Sequence, residues 1–160
     1  MYVNLAGFST ILEQNENKAL ELLDYLTRMV NRVSEDFDGT VIKTVGDTFL
    51  VSFNTALNSV ECAVKVQNDL SIFNESRTEN PLAVRIGVHL GDIYFYEDDA
   101  LGEGVSIASR LQSVCRPGSI VVSSEVYNQV GTRLQVKSRS LGKIQMKNMS
   151  KEVHAWELLT

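Results

Sequence analysis

Thr40 to Phe53 reads TVIKTVGDTFLVSF. Two short β-branched and aromatic runs, Val41 to Val45 and Thr48 to Phe53, meet at Gly46-Asp47, a strong hairpin signal. The turn projects Asp47 outward. A carboxylate on a rigid two-residue connection loses little entropy on ligation, so it is well placed to hold a divalent cation. Lys43 adds a positive charge to the same element. Turns select Gly and Asp in any case, so a functional meaning for Asp47 has to come from the rest of the chain.

Working outward, helical spacing of Ala19, Leu22, Leu23, Leu26, Met29, Val30, Val33 and Phe37 predicts a long amphipathic helix from Glu16 to Phe37, with Gly39 as its stop. Upstream, Tyr2 to Leu5 is a short strand that begins abruptly, as expected of a domain excised from a longer chain. Downstream, Ala56, Val60, Ala63, Val66, Leu70 and Phe73 mark a second helix. Arg77 to Pro81 is a polar connection. Leu82 to Leu90 alternates apolar residues with Ala83, Arg85, Gly87 and His89, a half-buried strand that Gly91-Asp92 turns into Ile93 to Tyr96. Glu97 to Gly104 reads as an acidic loop, Val105 to Cys115 as a third helix stopped by Pro117-Gly118. Ile120 to Val122 is a strand, Ser124 to Val130 a short helix, and Leu134 to Leu158 further strands. The order predicts an α+β, ferredoxin-like fold in which helices cover one face of a largely antiparallel sheet. The other face is left for a partner subunit, and C2 dimers are the commonest solution.

Composition narrows the function. The chain has 160 residues, 44% of them hydrophobic and 22% charged, which predicts one globular domain with a real core. Its net charge of -5 argues against nucleic acid and anionic membrane surfaces, which select for Lys and Arg. No run approaches the ~18 apolar residues of a membrane span, and no signal-peptide layout opens the chain. The expectation is a cytoplasmic domain without direct membrane contact, within a parent chain that is free to carry an anchor. Cys62 and Cys115 have no metal-ligand spacing and read as buried thiols in a reducing compartment. His89 and His154 lack a partner at readable spacing and read as structural. Asn74-Glu-Ser76 and Asn148-Met-Ser150 match the glycosylation pattern, which means little without a secretory signal.

Six segments, taken in order, resemble the class III adenylyl/guanylyl (nucleotidyl) cyclase domain: NLAGFS from Asn4, the hairpin VIKTVGDTFLVSF, VRIGVHLGD from Val84, DDALGEGVSIASRLQ from Asp98, PGSIVVS from Pro117 and LGKIQMKN from Leu141. The resemblance covers nearly the whole chain. It implies the class III cyclase fold, a homodimer or pseudo-dimer with active sites at the subunit interface, and conversion of ATP to cyclic AMP and pyrophosphate. It also implies two Mg²⁺ or Mn²⁺ ions that drive in-line attack of the ribose 3′-hydroxyl on the α-phosphate.

Carried over residue by residue, the resemblance gives Asp47 as a metal ligand, with the main-chain carbonyl of Leu5 beside it. Asn4 stands where the family has its other metal aspartate. Lys43 and Asp99 match the adenine-reading pair, which points to ATP, with GTP the poorer fit. Arg110 matches the arginine that stabilises charge on the phosphates, and one helical turn before it Ser106 replaces a transition-state asparagine. Lys147 is a candidate contact to the triphosphate, although the turn there reads MKN. The two departures carry a cost. Losing one carboxylate removes an attraction of roughly 4 kcal/mol between unit charges at ~4 Å and an effective dielectric of ~20. Removing one preorganised transition-state donor typically costs about 10² to 10³ in kcat. Two functions are therefore expected: a cyclase of weak or lost activity, or a pseudo-cyclase serving as a dimerising, nucleotide-sensing module in signal transduction.

Overall fold

The computed structural model describes residues 1–160 except Thr78, Asn80 and Lys147. From the N-terminus come β1 (Tyr2–Leu5), α1 (Phe8–Gln14) and α2 (Glu16–Asp36). The predicted hairpin follows as β2 (Thr40–Val45) and β3 (Thr48–Ser52), then α3 (Ala56–Glu75) and β4 (Val84–Val88). A small separate hairpin, β5 (Tyr94–Tyr96) with β6 (Asp99–Leu101), leads into α4 (Glu103–Val114). The chain ends through β7 (Ile120–Ser123), α5 (Ser124–Val130), β8 (Lys137–Gln145) and β9 (Glu152–Leu159).

Seven strands form one sheet in the order β2-β3-β1-β4-β7-β9-β8. All neighbours are antiparallel except β4 and β7, which run parallel. The sheet is therefore mixed. Asn15 starts α2, its side chain accepting from the Lys18 N–H at 3.0 Å. The buried face of α2, Ala19, Leu22, Leu26, Met29, Val30 and Val33, is the one its spacing predicts. Short α1 escaped the periodicity reading because seven residues span only about two turns.

Period two along β7 separates the two faces of the sheet. Ile120 and Val122 join α2, α3 and α5 in the main core, whereas Val121 packs with Ile107 and Leu111 of α4. One helix thus lies on the face opposite the others, which corrects the expectation that helices cover one face only. The reason is Gly87. A Cβ built there would meet the Gln112 backbone nitrogen at 2.3 Å and the Ala108 carbonyl oxygen at 2.4 Å, so α4 touches β4 backbone to backbone. In the sequence Gly87 looks like one of the outward positions of an amphipathic strand, yet it is buried.

Two further expectations change. Gly91-Asp92 is not a hairpin turn, because β4 pairs with β1 and β7 rather than with β5. The expected acidic loop contains β6, which returns along β5 through Glu97 at a φ of 50°. Strands of three residues are too short to leave a periodic trace.

Gly87→Ala is expected to lower stability by about 3 kcal/mol, the upper end of overpacking costs, because backbone rather than a flexible side chain must move. Urea unfolding followed by circular dichroism measures it, and an unchanged midpoint would show that α4 is not seated on this glycine.

Candidate active site

Register decides which side chains share the face that α4 leaves partly open. Val41 pairs with Val51 but Lys43 pairs with Leu50, so Ile42 is the extra residue of a β-bulge. Regular alternation would have set Lys43 opposite Phe49, a core residue beneath the main helix layer. The bulge instead places Lys43, Leu50, Tyr2 and Gly87 side by side across β2, β3, β1 and β4. Next to that row stand Val45, Thr48, Asn4 and Arg85.

Asn4, Leu5 and Asp47 come together because the hairpin turn is tied to β1. The Leu5 N–H donates to the Asp47 carbonyl at 3.0 Å. Asn4 Nδ2 donates to Thr48 Oγ1 at 2.9 Å, and that hydroxyl approaches Asp47 Oδ1 at 3.5 Å. Thr48, which sequence reading passed over, is thus the bridge between the two candidate ligands. Committing its nitrogen to Thr48 leaves Asn4 with Oδ1 as the free acceptor. Among the described residues no group of three or more His, Cys, Asp or Glu gathers as a metal cluster. The donors are one carboxylate, one amide oxygen and one main-chain carbonyl. An all-oxygen set suits a hard divalent cation, but it brings a single negative charge.

Lys43 Nζ lies 2.6 Å from Asp99 Oδ1, joining β2 to the start of β6. Asp99 Oδ1 also accepts from the Ala100 N–H at 2.6 Å. The hydrogen bond from Lys43, reinforced by the Ala100 amide, holds the Asp99 carboxyl below the usual aspartate value, and Asp99 in turn raises Lys43. The two side chains keep 32% and 40% of their surface in solvent, so the pair adds little to stability and stays open to exchange for a ligand. Beside them the Tyr2 phenol is raised, first by burial; Lys43 lowers it and Asp99 raises it, so both lie within its electrostatic reach.

Ser106 and Arg110 occupy successive turns of α4, Ser106 exposed and Arg110 half-buried. Ser106 Oγ turns back to the Gly102 carbonyl at 3.5 Å. Arg110 Nε donates to the Gln145 carbonyl at 3.4 Å, at the end of β8, rather than to the Asn4–Asp47 cluster. Within this chain, then, the candidate residues form three groups: the Asn4–Leu5–Asp47 oxygens, the Lys43–Asp99 pair and the α4 pair. Lys147 lies outside the described residues.

The remaining candidates have structural explanations. His89 Nδ1 sits 2.8 Å from Ser123 Oγ and 4.0 Å from Glu125 Oε2, a carboxylate neighbour that spacing did not reveal. Burial still lowers the His89 pKa more than Glu125 raises it. His154 Nε2 lies 3.0 Å from Ser140 Oγ. Asn74 is occupied in both directions by the Leu82 backbone, at 2.7 and 2.8 Å. Cys62 and Cys115 are buried free thiols, pushed up to about 11 and about 12 by burial.

The family model for the adenylate and guanylate cyclase catalytic domain matches residues 1–160. "Putative adenylate cyclase 3" of Rhizobium meliloti (strain 1021) is 32% identical over 152 residues, covering 94% of this chain and 26% of that protein. The chain spans about a quarter of the length of such curated relatives, 26% of this one and 27% of adenylate cyclase 1 from the same organism. Among solved structures, an adenylate/guanylate cyclase/hydrolase from Silicibacter pomeroyi superposes with a TM-score of 0.86 at 26% identity, over 99% of this chain and 95% of that one. The adenylyl cyclase CyaB of P. aeruginosa shares the fold, with a TM-score of 0.85 at 22% identity over 99% and 91% of the two chains. No helix among the described residues is long and apolar enough to cross a membrane.

Asp99 is expected to titrate below an ordinary aspartate. Its depressed pKa means that the ion pair's contribution is complete above the unfolded-state value and is lost as pH falls through the folded one. Carboxyl-carbon NMR reads the midpoint directly, and Lys43→Met should return it toward the ordinary value. An unmoved midpoint in that variant would contradict the pairing.

Proposed function

The chain belongs to the adenylate and guanylate cyclase catalytic-domain family, and from that premise we propose that residues 1–160 form one catalytic-domain unit that converts ATP slowly to cyclic AMP and pyrophosphate. The observation that carries this reading is the Lys43–Asp99 pair, preassembled on the open face by the bulge at Ile42. A lysine that donates and a carboxylate that accepts complement the ring nitrogen and exocyclic amine of adenine, whereas a guanine edge presents the opposite polarity at those positions. The Rhizobium relative named as an adenylate cyclase is consistent with ATP.

Asp47, Asn4 Oδ1 and the Leu5 carbonyl would hold Mg²⁺ or Mn²⁺. When bound, such an ion supplies Lewis acidity to the ribose 3′-hydroxyl and countercharge to the phosphates. Lys43 and Asp99 fix the base, and thereby the ribose, in line with the α-phosphate. The Arg110 guanidinium offers its planar fork to the charge that builds as the 3′-oxygen bonds to the α-phosphorus and pyrophosphate departs. Ser106 is too short to reach the same oxygen without a bridging water, so one donor is missing.

A second copy completes the site. Supporting this, Arg110 stands apart from Asp47 within one protomer, and the β5–β6 hairpin exposes Tyr94, Phe95, Tyr96 and Leu101 together, an apolar group that a partner surface would cover. The resulting unit would serve signal transduction within a longer protein. A pseudo-cyclase is favoured by one observation, the commitment of the Asn4 amide to Thr48 in place of a second carboxylate. Such a module would bind ATP and dimerise without turnover.

Incubation with ATP and excess Mn²⁺, read by mass spectrometry, separates the two. Slow product from the native chain, rising about tenfold or more in Asn4→Asp as the missing charge is restored, is the expected result. No product from either protein, with ATP bound, would leave only the pseudo-cyclase. Phe95→Asp should shift the dimer toward monomer in analytical ultracentrifugation and reduce product by the same proportion. A Phe95→Asp dimer as tight as the native one would remove the β5–β6 hairpin from the interface.

A further inference from the structure

We infer that Tyr2 is a third base-contacting residue, its phenol O–H hydrogen-bonding the purine ring beside Lys43 and Asp99; the inference rests on the proposed reading of that pair. The register row that brings Lys43 to the open face continues through Leu50 to Tyr2. Directly opposed residues project to the same side of a sheet, so Tyr2 and Lys43 rise on either side of Leu50. Asp99 reaches the same spot from β6 through its bond to Lys43. Beyond Tyr2 the row passes to Gly87, beneath α4, which walls that side.

Two neighbouring polar groups already have partners: Asn4 holds Thr48, and Lys43 holds Asp99. The Tyr2 hydroxyl has none among the described residues, and the side chain is only partly buried. A buried ring needed for packing alone has no use for a hydroxyl, and a phenol with a satisfied O–H would not be free to meet a ligand. Once a base separates Lys43 from Asp99, the face presents a cationic donor, an anionic acceptor and a neutral group able to do either. Such a hydroxyl can engage a ring nitrogen or an exocyclic amine.

The test titrates the whole chain, with Mn²⁺ present, against 3′-deoxy-ATP, which lacks the attacking hydroxyl and cannot cyclise, and against inorganic tripolyphosphate, which lacks the base. Calorimetry on the native chain, Tyr2→Phe and Lys43→Met gives the affinities. Tyr2→Phe keeps the ring and its packing, so its melting temperature should match the native one. The expected result is about fivefold weaker 3′-deoxy-ATP binding with tripolyphosphate unaffected, the scale of one neutral hydrogen bond. Equal losses for both ligands would overturn the inference by showing a general disturbance. Native-like binding by Tyr2→Phe, with 3′-deoxy-ATP still weakened in Lys43→Met, would overturn it while leaving the Lys43–Asp99 reading intact. Absence of 3′-deoxy-ATP binding, or no loss in Lys43→Met, would remove that reading and Tyr2 with it.

Discussion

The backbone contact between α4 and β4 at Gly87 is the constraint on which the candidate site depends. A helix that carries Ser106 and Arg110 is held at a fixed height over the sheet because no side chain intervenes: Ala108 and Gln112 present backbone to a bare Cα. Close packing of this kind transmits position rigidly, since there is no flexible side chain to absorb a shift. The sheet separates the hydrophobic interior into two clusters, the larger beneath α2, α3 and α5 and the smaller beneath α4. The α4–β4 contact also explains why part of the open face stays uncovered. One helix cannot span seven strands, and the β2-β3-β1 end is left to polar residues and to the β5–β6 hairpin.

A second local irregularity sets the chemistry of that uncovered end. The bulge at Ile42 turns Lys43 from the core side to the open side, where it meets Asp99. A buried, unpaired ammonium beside Phe49 would be far costlier than an ion pair at a half-exposed edge, so the bulge is favoured by solvation as well as by geometry. The pair also fastens the β5–β6 hairpin to the main sheet, which it otherwise touches lightly. A ligand that separated Lys43 from Asp99 would therefore act on both the open face and the exposed aromatic hairpin.

Asn4 and Ser106, the two candidate positions that depart from the family pattern, sit in different surroundings. Asn4 commits its nitrogen to Thr48 and brings an oxygen without a negative charge beside Asp47. Ser106 carries a short side chain, exposed on α4, that bonds only weakly to the Gly102 carbonyl. Neither residue lies in a core cluster, and the fold superposes on a related cyclase structure with a TM-score of 0.86.

The family, the α+β class and the identity of the candidate residues were legible in the chain. So were α2, α3 and the β2–β3 hairpin, whose apolar periods and Gly46-Asp47 turn are local properties. Candidate roles could be assigned to individual residues by resemblance because the ordered segments from Asn4 to Asn148 occur in the family's succession. The position of α4 on the opposite face was not legible, since a glycine in a strand looks the same whether it meets water or a helix backbone. Nor was the side to which Lys43 points, the bridging part of Thr48, or the place of Tyr2 beside the ion pair. Each depends on register between strands far apart in the chain, and a one-residue bulge reverses the face of every residue beyond it.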